Sequence, residues 1–326
     1  MQHHLPLITA SRVRAFQRCP RYHHIRYNLG YRTTERAAPL AFGSLFHRAL
    51  EAWWTAADGP RIEAALEQLD REVDSDPYDL ARAQALIEGY DIRWSDAGLT
   101  PELVEATFEL PLTNPQTGAA SRTYRLAGKV DAIVRSGPQL WLLEHKTTSE
   151  TITPGSAYWA KLRMDNQVSM YLNGAEALGR PVSGCIYDVI GKPTLRPYKA
   201  TPPEVRKYKK DGSLYANQRE EDETPEAYLS RLRWDISENP DRYYQRAEVV
   251  RIGDELQEFD WELWQTARAI RDAEIAARHP RNPNACFQWQ RPCDYFDVCS
   301  GSASLDDVSR FVHETDPHPE LQEEHQ

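Results

Sequence analysis

In the first hundred positions of the chain, apolar residues recur with the spacing of helices. Thr9–Ser11 can cap a short helix that runs into Cys19. Further along, apolar residues three and four positions apart predict amphipathic helices over about 42–56, 62–73 and 78–97. Because each helix has one apolar face, each is expected to cover another layer of the fold.

From about residue 103 the apolar positions alternate with polar ones, which is typical of strands. Leu103–Leu112, Thr123–Val134 and Leu140–Thr148 follow this period of two. Turn-forming residues at Asn114–Gly118 and Ser136–Pro138 separate them. The pattern therefore predicts an antiparallel meander of three strands.

The helical period returns over Ser156–Leu178, and an apolar strand is predicted at Val182–Ile190. The order of three strands, a helix and a strand, with helices before it, predicts an α/β fold with a mixed central sheet flanked by helices. Residues 192–246 are charged and weakly periodic, and we interpret them as an insertion. A long polar helix is predicted over 254–279.

The sequence predicts one domain over residues 1–300, with its core at about 40–191. Residues 301–326 hold seven acidic residues and one arginine, which predicts an acidic, flexible tail. No apolar run approaches the roughly 20 residues of a membrane span, and the N-terminus lacks the apolar segment of a signal peptide. We therefore expect a cytoplasmic protein without membrane contact.

The charge of the chain is unevenly distributed. The net charge is −10, yet residues 1–36 hold seven arginines against one acid. Residues 192–219 hold eight Lys and Arg residues against two acids, with three tyrosines among them. Such stretches suit phosphate contacts and base stacking. For the second stretch, a solvated surface is an equal alternative.

Charged residues interrupt the apolar strands of the meander at Asp131, Glu144 and Lys146. Because side chains two apart share a face of a strand, Glu144 and Lys146 point one way and His145 the other. A buried charge is costly unless it is paired or bound to a metal. Two carboxylates and an ammonium on adjacent strands suit a divalent cation and a scissile phosphate. The plainer alternative is a surface acid beside a salt bridge on an edge strand.

Asp131 followed by Glu144–Lys146 resembles the active-site signature of the PD-(D/E)xK nuclease superfamily, although Val130 stands in place of the proline. Gly43–Glu51 resembles the GxxxHxxLE helix of RecB-type nucleases, and Gln167–Tyr171 resembles their QxxxY motif. A single one of these motifs would be weak, because each is short. The four together stand in the order found in the family.

The resemblance implies that Asp131 and Glu144 bind Mg²⁺ or Mn²⁺. His47 would be a third ligand and the backbone carbonyl of His145 a fourth. The imidazole would favour Mn²⁺, because it is a softer ligand than a carboxylate. Lys146 would position the attacking water or stabilise the developing charge.

The resemblance gives Gln167 and Tyr171 a supporting role, either to Lys146 or to the DNA strand. Each residue also has an ordinary interpretation. His47 taken alone is more often a core or surface histidine, and Gln167 and Tyr171 are compatible with plain helix packing.

Four of the five cysteines, Cys19, Cys286, Cys293 and Cys299, lie at the two ends of the predicted domain. One cysteine upstream and three downstream resembles the iron–sulfur staple of AddB-type and CRISPR-adaptation RecB-like nucleases. The resemblance implies a [4Fe–4S] cluster that joins the two ends. The six residues between Cys286 and Cys293 exceed the spacing usual in that group, and Zn²⁺ is the alternative. Cys185 lies in an apolar strand and is interpreted as a core residue.

These observations predict a metal-dependent deoxyribonuclease, most simply an exonuclease that acts on single-stranded DNA or DNA ends. Its setting would be DNA processing, recombination or repair, phage replication or CRISPR adaptation. The chain contains no GxxxxGK[ST] motif, so a helicase or recombination partner would have to supply any unwinding. The alternative is a catalytically inactive nucleic-acid-binding or scaffold protein on the same fold.

Overall fold

The computed structural model describes residues 5–34, 38–57, 59–288 and 291–322, and it contains a central sheet between two layers of helices. The helices are α1 (Ala10–Arg18), α2 (Pro20–His23), α3 (Ala38–Thr55), α4 (Arg61–Asp70), α5 (Pro77–Trp94), α6 (Ala157–Leu162), α7 (Asn166–Ala177), α8 (Pro225–Glu238), α9 (Pro240–Tyr243), α10 (Gly253–Ile275) and α11 (Phe296–Ser300). The strands are β1 (Leu7–Ile8), β2 (Tyr31–Thr33), β3 (Leu99–Thr113), β4 (Ala120–Ser136), β5 (Gln139–Thr148), β6 (Cys185–Gly191), β7 (Tyr244–Val249), β8 (Phe287–Gln288), β9 (Arg291–Pro292) and β10 (Phe311–His313).

The central sheet has the order β1-β4-β5-β6-β7, and β3 also pairs with β4. The β3–β4, β4–β5 and β6–β7 pairs are antiparallel, whereas β1–β4 and β5–β6 are parallel. The sheet is therefore mixed, and the predicted α/β class with a mixed central sheet flanked by helices is confirmed. The meander predicted from the period of two corresponds to β3, β4 and β5.

Both faces of the sheet are covered by apolar side chains. On one face, α3, α4, α5 and α8 bury a cluster that includes Trp53, Trp54 and Tyr90. On the other face, α1, α7 and α10 bury a second cluster that includes Phe108 and Tyr187. Two faces covered in this way account for the near-continuous apolar sequence of β5 and β6.

Helix α7 lies close to the sheet because two glycines leave room for one aromatic ring. Phe108 on β3 packs into the space beside Gly128 on β4 and Gly174 on α7. A Cβ atom added at Gly174 or at Gly128 would lie 2.4 or 2.6 Å from the Phe108 ring. A side chain at either position would therefore require the Phe108 ring or the helix to shift.

The structure differs from the predicted helix over Ser156–Leu178, which is divided into α6 and α7. The division occurs at Asp165, which caps α7 by accepting a hydrogen bond from the backbone N–H of Gln167 at 3.0 Å. A capping aspartate favours a new helix start over a continuous helix. The break places Gln167 in the first turn of α7.

Part of the predicted insertion at 192–246 contributes to the core. Helix α8 buries Tyr228, Leu232 and Ile236 against the first apolar cluster, and β7 completes the edge of the sheet. The three buried residues of α8 are four positions apart, so they form one narrow stripe on a helix whose other side chains are mostly polar or charged. Three apolar residues contribute little to the hydrophobic periodicity of residues 192–246, which explains why that periodicity is weak.

Part of the predicted acidic tail forms regular secondary structure. Strand β10 pairs antiparallel with β2, and Phe311 is buried beside Tyr295 and Ile25. Residues 301–322 are described, whereas residues 323–326 of the predicted tail lie outside the described part. Within the described residues, no helix is long and apolar enough to cross a membrane.

Candidate active site

The site lies at a gap in the pairing of β4. On the side of β4 opposite β3, Arg125 and Leu126 pair with β1, and Ala132–Ser136 pair with β5. No described strand pairs with β4 on this side between those two segments. The strands β4 and β5 therefore separate immediately beyond the pair Ala132–Leu143, and the next residues along them are Asp131 and Glu144.

Asp131 bridges the strands where the ladder ends. Its Oδ2 atom accepts a hydrogen bond from the backbone N–H of His145 at 2.7 Å. The predicted approach of Asp131 and Glu144 therefore follows from the register of β4 and β5. Both side chains line one cavity of about 980 Å³, together with Lys146.

Glu144, Lys146 and Gln167 form a closed ring of hydrogen bonds. Lys146 Nζ donates to Glu144 Oε1 at 2.6 Å and to Gln167 Oε1 at 2.9 Å. Gln167 Nε2 lies 2.8 Å from Glu144 Oε1 and 2.8 Å from the Tyr171 hydroxyl oxygen. Glu144 and Lys146 are on the same side of β5, as predicted, and Gln167 and Tyr171 meet them from α7. The four side chains therefore fix the position of the Lys146 ammonium.

The two acids are held in an environment that favours their protonated forms. Burial and the neighbouring Asp131 raise the pKa of Glu144 to about 7. Burial also raises the pKa of Asp131. Burial opposes the charge of Lys146, but the Glu144 carboxylate raises the pKa of this lysine. Such a site gains from an additional positive charge close to the two carboxylates.

A carboxylate oxygen at the centre of this site is unsatisfied. Glu144 Oε2 is buried and has no hydrogen-bond partner among the described residues. An unpaired buried oxygen of a carboxylate is costly, and a divalent cation would satisfy it. Mg²⁺ usually takes only one or two protein carboxylates and retains several waters. Asp131 and Glu144 therefore fit this ion.

His47 lies on α3 and lines the same cavity. Its ring centroid is 6.2 Å from that of His145. Burial, followed by the cations His145 and Lys146, lowers the pKa of His47 to about 3. The imidazole is therefore neutral at neutral pH, which is the form that can bind a metal. Nevertheless, no group of three or more His, Cys, Asp or Glu side chains in the described ranges is arranged to hold a metal ion.

The His145 side chain points away from Glu144 and Lys146, as the alternation predicts. Its Nδ1 atom lies 3.3 Å from Asp188 Oδ2 on the adjacent strand β6. Asp188 is fully buried and also accepts hydrogen bonds from Tyr90 at 2.5 Å and from Arg246 at 3.0 Å. Burial opposes the charge of His145, but Asp188 raises its pKa. This buried network anchors His145, which lies between Glu144, a predicted metal ligand, and Lys146, the predicted catalytic lysine.

Sequence reasoning missed an ion pair beside Asp131. Lys129 Nζ lies 2.5 Å from Glu105 Oε2, and both residues line the cavity. Lys129 is two positions before Asp131, so strand alternation could have identified it. Glu105 has a φ of 50°, unusual for a residue other than glycine, and it interrupts the pairing between Val104 and Ala106. The alternation of β3 breaks there, and no sequence signal indicated Glu105.

The predicted cysteine ligands lie at the junction of the two ends of the chain. The backbone N–H of Asn282 donates to Cys19 Sγ at 3.4 Å, and Cys286 Sγ lies 3.7 Å from the Asn282 carbonyl oxygen. The backbone N–H of Cys293 donates to the Cys286 carbonyl at 2.7 Å. Burial raises the pKa of Cys299, and the nearby Cys19 and Cys286 also act to raise it. All four are free thiols, but within the described residues they do not form a ready metal-binding group.

Gln167→Ala should lower kcat about 10–100-fold, the usual effect of removing a residue that orients a catalytic group. The substitution removes the hydrogen bonds that hold Lys146 and Glu144 from the side of α7. Steady-state cleavage rates would measure the effect. Asn173→Ala, on the same helix but bonded to Asp260 at 3.1 Å, is the matched control and should retain its rate. Equal rates for the two variants would contradict the supporting role.

The family model of the PD-(D/E)XK nuclease superfamily matches residues 7–300 of the chain. No curated protein matches the sequence. Among solved structures, the crystal structure of SSO0001 aligns with 73% of this chain and 78% of that chain, with 14% sequence identity and a TM-score of 0.27. The residues that the family model covers include the whole cavity floor on β4 and β5, as well as all of the cysteines.

Proposed function

Because the chain belongs to the PD-(D/E)XK nuclease superfamily, we propose that it is a metal-dependent deoxyribonuclease that hydrolyses phosphodiester bonds in single-stranded DNA or at DNA ends. The observation that carries this proposal is the meeting of Asp131, Glu144 and Lys146 in one cavity, with an unsatisfied oxygen on Glu144. A helicase or recombination partner would supply any strand separation.

Asp131 and Glu144 would hold the cation, with His47 and the His145 carbonyl completing the set. When bound, a divalent cation polarises a phosphodiester and lowers the pKa of a coordinated water. The Lys146 ammonium is positioned to stabilise negative charge as it develops on the phosphate. Its hydrogen bonds to Glu144 and Gln167 fix it in advance, so that little reorganisation is needed.

The proposal is tested with a labelled single-stranded oligonucleotide incubated with Mg²⁺, with Mn²⁺ and with a chelator. Cleavage that requires the cation is expected, and early release of mononucleotides would identify an exonuclease. An RNA strand of the same sequence tests the preference for DNA. Binding without cleavage in every metal would contradict the proposal and would favour the inactive scaffold.

We also propose that Cys19, Cys286, Cys293 and Cys299 hold a [4Fe–4S] cluster. The thiols of Cys19 and Cys286, from the two ends of the chain, both contact Asn282, and sets of four cysteine thiolates bind such clusters. The role would be structural, since the cluster would close a loop spanning most of the domain.

Cys293→Ser should remove visible absorbance and lower the melting temperature, whereas Cys185→Ala should keep the colour. Cys185 is buried in β6, away from the four. Iron analysis of anaerobically purified protein is the second measurement, with about four iron atoms per chain expected. A colourless protein that contains zinc would contradict the iron–sulfur proposal and support the alternative.

A further inference from the structure

Residues 311–322, here called the C-terminal strap, form part of the wall of the catalytic cavity. Pro319, Leu321 and Gln322 line the same cavity as Asp131 and Lys146. The acidic sequence predicts a flexible tail, whereas these three residues contribute to the wall of the cavity.

The strap is held in place by contacts at its first half. Strand β10 pairs with β2, and the backbone N–H of Glu314 donates to the Gly30 carbonyl at 2.8 Å. Gly30 has a φ of 73°, and a Cβ atom there would lie 2.4 Å from the Glu314 carbonyl oxygen. Only glycine fits this crossing without a shift of the strap. Arg32 adds an ion pair with Glu314.

The second half of the strap is fixed around a buried histidine. His318 is 4% exposed, and its ring lies 5.4 Å from that of Tyr27. Asp316 accepts hydrogen bonds from the backbone N–H of His318 at 2.8 Å and from Gln322 Nε2 at 2.6 Å. The short turn Pro319–Leu321 follows directly. The apolar residues of this turn are therefore presented to the cavity by a fixed support.

The two sides of the cavity differ in chemistry. Its floor carries the charged groups Lys129, Asp131 and Lys146, which suit a phosphate and its cation. The strap contributes the apolar surface of Pro319 and Leu321, which suits a base or a sugar. In a duplex the base faces are stacked and the pairing edges are occupied, so only an unpaired base can lie against such a surface.

We propose that Pro319 and Leu321 form an apolar lip that contacts an unpaired base beside the cleaved phosphodiester, so that the site selects single-stranded over duplex DNA. This inference rests on the proposed nuclease function. It assigns recognition of the base to the strap and reaction of the phosphate to the strands. Leu321 is thus a specificity residue that takes no part in the chemistry.

The test compares single-stranded and duplex oligonucleotides of one sequence, and single strands with one abasic nucleotide on either side of the cleaved bond. Leu321→Ser should raise KM for the single strand about tenfold, the effect of losing a small apolar contact. Its kcat should not change. Abasic DNA should cost the native enzyme a similar factor, but it should cost Leu321→Ser nothing further. Val308→Ser, an exposed apolar residue elsewhere in the tail, is the control.

Three results would overturn the inference. An abasic penalty that is equal in the native protein and Leu321→Ser would show that the lip does not contact the base. An unchanged preference for single strands would separate the lip from specificity. Faster cleavage by Leu321→Ser than by the native protein would make the lip an obstruction. Absence of cleavage of any substrate by the native protein would instead contradict the nuclease function itself. Melting curves of the variants exclude misfolding as the cause.

Discussion

Asp131→Asn should reduce DNA cleavage about a thousandfold while leaving the fold intact. The amide oxygen of asparagine can still accept the hydrogen bond from the backbone N–H of His145. The negative charge that would bind the cation is lost, and metal assistance contributes several kcal/mol to such reactions. Because about 1.4 kcal/mol corresponds to a factor of ten in rate, a thousandfold loss is a modest expectation. Single-turnover cleavage at saturating Mn²⁺ is the measurement.

Asp260→Asn provides the control for this substitution. Asp260 is also an aspartate whose pKa is raised by burial, but it is bonded to Asn173 away from the cavity. It should retain nearly full activity. A comparable loss in both variants would indicate a general effect of removing a partly buried carboxylate. Retention of activity by Asp131→Asn would eliminate Asp131 as a ligand.

The second large effect concerns stability. Asp188→Ala should lower the free energy of unfolding by about 3–5 kcal/mol, as expected when one partner of a buried ion pair is removed. The Arg246 guanidinium, now 3.0 Å from Asp188, would remain in the interior without its carboxylate. Tyr90 would lose its hydrogen-bond acceptor and His145 its ion-pair partner as well. Urea unfolding followed by tryptophan fluorescence would measure the change.

The exposed ion pair of Arg93 and Asp241, at 2.7 Å, offers a comparison with similar chemistry. Asp241→Ala should cost less than about 1 kcal/mol, because solvent screens exposed pairs and their net contribution is small. A cost for Asp188→Ala no greater than that for Asp241→Ala would contradict the role assigned to burial. Both variants remove an aspartate that pairs with an arginine, so the difference between their unfolding free energies reports the effect of burial.

The floor of the site could be predicted because it depends on local rules. Strand alternation alone places Glu144 and Lys146 on one side of β5 and His145 on the other, and helical spacing places Gln167 and Tyr171 one turn apart. The family resemblance supplied the pairing of these elements. The meeting of Asp131 with β5 required a register that the short turn after Ser136 made the simplest choice.

The walls of the site depend on contacts between distant parts of the chain, and the sequence did not indicate them. The strap reaches the cavity through anchors that include Phe311, which is buried near Ile25, far away in sequence. The acidic residues of the tail predict a flexible segment, whereas the buried Phe311 and the pairing of β10 with β2 connect it to the rest of the fold. Glu105 was missed for another reason, since its left-handed backbone follows no hydrophobic period.

The packing of Phe108 between α7 and the sheet sets the distance between Gln167 and Lys146. The Phe108 ring lies between the helix and the sheet, and the absence of side chains at Gly128 and Gly174 lets the two layers approach to the width of that ring. Gln167 extends from that helix to a lysine on the sheet at 2.9 Å, a distance that does not tolerate a wider gap. A side chain at position 128 or 174 would therefore disturb the packing that brings Gln167 to Lys146, and Gly128 itself lines the cavity. Substitutions at these two positions are therefore expected to affect the geometry of the candidate site as well as the packing of the core.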